Sequence, residues 1–179
     1  MKARLKSVIL SAIGVLSAFS IATYSSCNSD KCKTISCAYQ GVCNEGKCIC
    51  QSGYEGPQCE TITRKKFMGT WVVTENGSIT DASQYTVSVV AGPNMSEVRI
   101  KNFRNFFLND VNAFVKKDSI YIPQQVLQDQ TLIGYGWIED EKYYGDNGRI
   151  IIKYKVTDNL KGTTDDYGYD GGDPSLWNK

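Results

Sequence analysis

Cysteine is the residue type with the most chemistry to offer here, and its distribution is uneven. Six of the seven cysteines fall in one short stretch, at Cys32, Cys37, Cys43, Cys48, Cys50 and Cys59, and none follows before Lys179. So small a segment buries too little apolar surface to hold itself folded, and cross-links that restrict the unfolded chain must supply the difference. Disulfides in an oxidising compartment and zinc ligation in a reducing one compete for such thiols. The chain has no histidine and no paired C-x2-C knuckles, so disulfides are expected, with no metal and no cofactor. Six cysteines allow fifteen pairings, and sequence alone does not choose among them. Cys27 is left over, either as a free or intermolecularly paired thiol or as a modified residue.

Catalysis is harder to place. Without histidine there is no ready acid–base group near neutral pH, and neither a G-x-S-x-G elbow nor a phosphate-cradling glycine loop occurs. Glu139, Asp140 and Glu141, the carboxylates a histidine-free glycosidase would need, fall in a charged turn rather than a cleft. Asp165, Asp166, Asp170 and Asp173 offer oxygen ligands, but in no calcium-loop spacing. The chain is therefore expected not to be an enzyme. A formal charge of +1, with no basic run beyond Arg64-Lys65-Lys66, gives no reason to expect nucleic acid as a partner.

These residues are carried by a chain of changing character. Residues 1–26 open with Lys2, Arg4 and Lys6, continue apolar from Val8 to Ala22, and end in small residues, as a secretory signal does. The apolar run, about 15 residues, is short of the roughly 20 that cross a bilayer. Residues 27–31 form a polar spacer, 32–60 the cysteine-rich module, and 61–66 a linker. Residues 67–157 read as an all-β domain with strands near Thr70–Glu75, Tyr85–Val90, Glu97–Asn102, Val111–Lys116, Ser119–Ile122, Thr131–Glu139 and Arg149–Thr157. Tyr85, Val87 and Val89 share one face of their strand, as do Ile150, Ile152, Tyr154 and Val156 against Lys153 and Lys155. Lys117-Asp118 and Asn147-Gly148 sit where tight turns belong. Gly134 and Gly136 mark a strand curved where side chains would crowd at a barrel's inside. Residues 158–179 form a polar acidic tail whose Leu176 and Trp177 could fold back.

Three resemblances sharpen this reading. The spacing C-x4-C-x5-C-x4-C-x-C-x8-C, with Gly53, Tyr54 and Gly56 before the last cysteine, resembles the EGF-like module. That resemblance implies the pairs Cys32–Cys43, Cys37–Cys48 and Cys50–Cys59, and a role as rigid spacer; calcium is not expected, because Asn28, Asp30 and Asn44 only partly match the calcium-binding members. Ser25-Ser26-Cys27 resembles the lipobox of bacterial lipoproteins, with Tyr24 departing from its usual aliphatic residue, and implies lipid attachment at Cys27. Phe67-Met68-Gly69-Thr70-Trp71 resembles the G-x-W start of lipocalins. It implies a short antiparallel barrel, lipocalin-like or calycin-like, with Gly69 and Trp71 at the base and Arg149 packed on Trp71.

The order of segments as a whole resembles small EGF-like lipoproteins of the Bacteroidetes group, in which Asp118-Ser119-Ile120 is also similar to an O-glycan acceptor. The expectation is a lipid-anchored envelope protein, held to an outer membrane, whose EGF-like spacer presents the barrel to a protein, glycan or surface component. The alternatives are a carrier of a small apolar ligand, with Tyr135, Trp137, Phe103, Phe106 and Phe107 lining its pocket, and an accessory subunit of a membrane complex.

Overall fold

A computed structural model describes residues 31–139 and 148–179. Cys27, the rest of the signal and spacer apart from Lys31, and Asn147 lie outside the described residues, as do Asp140 and Glu141. The fold is all-β: a disulfide-rich EGF-like segment followed by a closed antiparallel barrel of eight strands.

The EGF-like segment holds two small hairpins, β1 (Val42–Asn44) with β2 (Lys47–Ile49) and β3 (Tyr54–Glu55) with β4 (Thr61–Ile62). Disulfides join Cys32 to Cys43, Cys37 to Cys48 and Cys50 to Cys59. They take the place of a core, since Cys59 is the only hydrophobic residue of this segment that is fully buried. Residues 61–66 are not a loose linker. Thr61–Ile62 completes a hairpin of the EGF-like segment, and Thr63–Lys66 winds into a 3-10 helix leading directly into the barrel.

The large sheet has nine strands, β5 (Gly69–Glu75), β6 (Ser83–Ala91), β7 (Glu97–Lys101), β8 (Val111–Lys116), β9 (Ser119–Leu127), β10 (Gln130–Glu139), β11 (Arg149–Asp158), β12 (Thr164–Tyr167) and β13 (Ser175–Asn178), of which all but β12 form the eight-stranded ring. Strands β5 to β11 form a meander, and β10 pairs along its whole length with β11. The ring closes through β13, which pairs with β11 on one side and β5 on the other, while β12 extends the pairing of β11 at Lys155–Thr157. The barrel therefore does not end at residue 157. The stretch expected to be an acidic tail supplies its closing strand, and Trp177 and Tyr167 from it are buried in the core.

Strand β9 runs past Pro123 because Pro123 falls at a bulge opposite β10, where its missing N–H costs no ladder bond. The Gln125 side-chain amide bridges both backbone groups of Asn112, donating to its carbonyl at 2.9 Å and accepting from its N–H at 3.0 Å.

Inside the ring, alternation places Trp71, Val73, Val87, Val89, Ile100, Ile120, Ile122, Ile150, Ile152, Tyr154 and Trp177 in one continuous core. Gly134 and Gly136 take inward positions because a Cβ at Gly134 would meet that of Tyr154 at 2.6 Å, and one at Gly136 would meet the Ile151 carbonyl. Their neighbours Tyr135 and Trp137 must then point outward, so neither lines an internal pocket. Phe103 and Phe107 are buried as part of the core, and Phe106 is half exposed.

At the base, Trp71 donates its indole N–H to the Phe67 carbonyl at 2.8 Å. The cation over its ring belongs to Lys179, 4.4 Å from the centroid, whose Nζ also donates to the Met68 carbonyl. Gly69 has φ +117, and a Cβ there would press on Lys179. Arg149, expected on Trp71, instead donates to the Asn178 side chain at 3.0 Å, because its strand register sets it opposite Asn178 on the outer face.

Candidate functional site

Two places gather functional side chains. The first lies where the EGF-like segment meets the barrel. The 3-10 helix Thr63–Lys66 carries the basic triplet, and two of its three cations are fasteners. Arg64 donates to the carbonyls of Gly92 at 3.0 Å and Asn94 at 2.8 Å in the β6–β7 turn. Lys66 bridges Glu55 of the EGF-like segment, at 2.9 Å, to Asp118 of the β8–β9 turn, at 2.6 Å. Burial pushes the Lys66 ammonium down, but hydrogen bonds to Asp118 and Glu55 more than offset it and leave its pKa above the ordinary value. Gly53 lies so close to Met95 that a Cβ on it would sit 2.8 Å from the Met95 Cβ. Thr63 ties the same corner together by donating its N–H to the Gly53 carbonyl at 3.0 Å.

Between these fasteners the two modules enclose a half-open groove of about 680 Å³. Residues 50–56 form one wall; Phe114 to Lys117 and Tyr121 form the other. The lining is apolar and aromatic at Tyr54, Phe114 and Tyr121, with Gln51, Ser52, Ser96, Lys116 and Lys117 supplying polar groups. Tyr54 stacks on Tyr39 with centroids 4.4 Å apart, which holds its ring in place. The aromatic surface continues outside the groove: Phe114 is opposite Tyr121, and Tyr121 opposite Tyr135, in the strand register. Tyr169 packs edge-on against Tyr135 at 5.7 Å. Trp137 also faces outward, beside Ser119 of the candidate glycan acceptor.

The second cluster lies at the opposite end of the barrel and is largely internal. Asp165 accepts from Arg104 at 2.9 Å, from Tyr167 at 2.8 Å, from the Ile79 N–H at 3.1 Å and from Thr80. Burial raises its pKa, but the Thr80, Ile79 and Tyr167 bonds and the Arg104 charge prevail and hold it below the ordinary value. Behind it, Glu75 accepts from Ser175 at 2.6 Å and Tyr85 at 2.7 Å. Burial outweighs these bonds, and its carboxyl is pushed up. Tyr154, stacked on Tyr167 with centroids 4.4 Å apart, is buried; its hydroxyl makes no hydrogen bond of good geometry among the described residues, yet it is near enough to act on the Glu75 carboxyl.

This cluster has the geometry of a polar plug. Arg104 is turned inward by its left-handed backbone, φ 59, and seals the end of the barrel over Tyr167. The sequence pointed to Asp165 only as a member of a surface acidic group, yet Asp166 and Asp170 face outward while Asp165 faces in.

The buried Glu75 carboxyl has a measurable consequence. Its folded pKa lies above the unfolded value of 4.5, so the native state binds the proton more tightly, and this contribution to stability is gained as pH falls through the folded pKa. Arg104, Tyr85 and Tyr154 act on the same carboxyl. Glu75→Gln keeps an acceptor for Tyr85 and removes the charge. Its melting temperature is expected to exceed the parent's at pH 8, with the gap closing toward pH 4.5. Thermal melts across that range check this, and a variant less stable than the parent at pH 8 would contradict it.

Residues 35–61 match the family model of the Teneurin-like EGF domain. The match spans the second to sixth cysteines of the module and stops as the 3-10 helix begins. No curated protein matches the chain. The cysteine-rich segment is thus an EGF-like domain by disulfide order and by family match, and the eight-stranded domain stands on its own geometry.

Proposed function

We propose that this chain is a non-enzymatic binding protein of a bacterial envelope. A lipid on Cys27 tethers it to the outer membrane, and the EGF-like domain and a lipocalin-like barrel act as one unit. The observation that carries the binding role is the pairing of a barrel interior filled by side chains with a groove and aromatic row on its outside. A carrier of an apolar molecule would need internal volume lined by outward-curving walls, whereas here Trp71, Trp177, Tyr154 and Phe103 occupy the centre. Aromatic side chains exposed side by side next to a concave groove are the kind of surface on which a partner can pack. The EGF-like domain is more than a spacer, because it supplies one wall of that groove.

The anchor is supported by the basic start, the apolar run and Cys27, the one cysteine that the three disulfides leave over, in the manner of the small EGF-like lipoproteins of the Bacteroidetes group that the segment order resembles. Stable attachment needs more than one acyl chain. Mass spectrometry of the N-terminal peptide from the membrane-extracted protein is expected to show a mature chain starting at an acylated Cys27. Cys27→Ser is expected to move the protein out of the membrane fraction. A mature terminus elsewhere, or Cys27 found in a disulfide, would sink the anchor.

A further inference from the structure

We propose that the groove and the aromatic row beside it bind an acidic polysaccharide, an inference that deepens the reading of this chain as a binding protein and rests on it. Phe114, Tyr121 and Tyr135 stand side by side on the outer face of β8, β9 and β10 and are 42%, 49% and 39% exposed. Adjacent strands lie about 4.8 Å apart, so the backbone positions that carry the row follow one another at a spacing close to the length of a sugar ring. Pyranose rings carry one face of C–H groups that packs on aromatic carbon, with hydroxyls around the rim. The rim of this row supplies partners for those hydroxyls in Gln51, Ser52 and Ser96.

Charge narrows the class of sugar. Of the carboxylates around the row, Glu55 and Asp118 are paired with Lys66 and Asp170 with Lys155, while Glu97, opposite Phe114, is buried and accepts from the Asn94 amide, and Glu139 accepts from Trp137. Lys116 and Lys117 on the groove wall, and Lys153 opposite Tyr135 in the register of β10 with β11, make no ion pair among the described residues. Three ammonium groups flanking the ring faces favour a chain bearing carboxylate or sulfate. A polypeptide that would bind as an added strand is disfavoured by topology. Strands β8, β9 and β10 each have a neighbour on both sides, and where β8 and β9 part the Gln125 amide takes both backbone groups of Asn112, so an extended peptide finds little edge on which to add a strand. The half-open groove suits a polymer that runs through it and onto the row.

The test uses the full chain in detergent against immobilised polygalacturonate, alginate and chondroitin sulfate, with carboxyl-reduced polygalacturonate as the neutral control. Binding to at least one acidic polymer is expected, weakening as salt rises. Tyr121→Ala, whose ring is half exposed, is expected to keep the parent's melting temperature and lose roughly tenfold in affinity. Lys116→Ser with Lys117→Ser is expected to weaken binding and reduce its salt dependence.

No binding to any of the three acidic polymers overturns the proposal, as does equal binding to the neutral control or binding that Tyr121→Ala leaves intact. Phosphatidylglycerol vesicles, offered to the Cys27→Ser chain so that no acyl group contributes, provide the other arm. Vesicle binding lost in Tyr121→Ala, without polysaccharide binding, would reassign the face to the membrane. An acylated Cys27 together with no polysaccharide binding would leave the anchored binding protein standing and remove only the glycan.

Discussion

Deleting residues 159–179 is expected to abolish cooperative unfolding of the barrel. Among the described residues strand β13 alone links β5 to β11, so its loss turns a closed ring into an open sheet with two unpaired edges. The deletion also empties the core of Trp177 and Tyr167, both buried. Large aromatic-to-small changes in a core cost about 3–5 kcal/mol each. Two such losses approach the roughly 5–15 kcal/mol by which a whole domain is stable. Glu75 would lose its Ser175 partner and Arg104 its Asp165, leaving polar groups stranded in the interior.

Near-ultraviolet circular dichroism during a thermal melt reads this directly. The full chain should give one sharp barrel transition and the truncated chain none. The three disulfides all lie before the deletion and should survive it. A truncated chain that melts cooperatively within a few degrees of the parent would show that the closing strand is dispensable.

What made the first seven strands of the large sheet legible is the same feature that hid its last two. Inward positions of β6, β9 and β11 are apolar at a period of two, and each strand is long enough for the pattern to repeat. The inward positions of β12 and β13 are instead Asp165 with Tyr167 and Ser175 with Trp177, in strands of four residues, the first followed by Gly168 and the second preceded by Pro174. A polar residue at every second inward site erases the alternation. These strands are recognisable only from the partners waiting across the barrel, Arg104 and Glu75.

The groove was out of reach for a related reason. Arg64 and Lys66 look like solvated linker charges until the turns at Gly92–Asn94 and Asp118 are brought beside them in space. Tyr135 and Trp137 are a different case, because the pleat settles them. Once Gly134 and Gly136 are placed inside to relieve crowding, parity leaves their aromatic neighbours outside, and the outer row follows. The cation on Trp71 was anticipated in kind but not in position. Lys179 reaches it from the end of β13, a strand the alternation did not disclose. The cysteine spacing and the disulfide order need no such long-range knowledge, since the whole EGF-like domain is local in sequence.

Asp165→Ala is expected to destabilise the barrel by about 3–5 kcal/mol at pH 7, the usual cost of leaving one partner of a buried ion pair alone. Four donors converge on this carboxylate: Arg104, Tyr167, Thr80 and the Ile79 N–H. Removing it leaves the guanidinium half enclosed against Tyr167 and Gln130, with no carboxylate bonded to it and only the Glu75 carboxyl to offset its charge from further off. Replacing Arg104 by Met as well takes away the stranded charge, so the double variant should cost less than the sum of the two single changes. The pH dependence has a definite sign. The folded pKa of Asp165 lies below its ordinary 3.8, so its contribution is fully present above that value and is lost as pH falls through the folded pKa. Glu75, whose pKa is raised, works in the opposite direction. The parent's stability below pH 4 therefore falls more steeply than that of Asp165→Ala, and urea denaturation at pH 7 and across pH 2–4 measures both effects. A loss under about 1 kcal/mol at pH 7, in the range of an exposed pair, would mean the plug is solvated and does not seal the barrel.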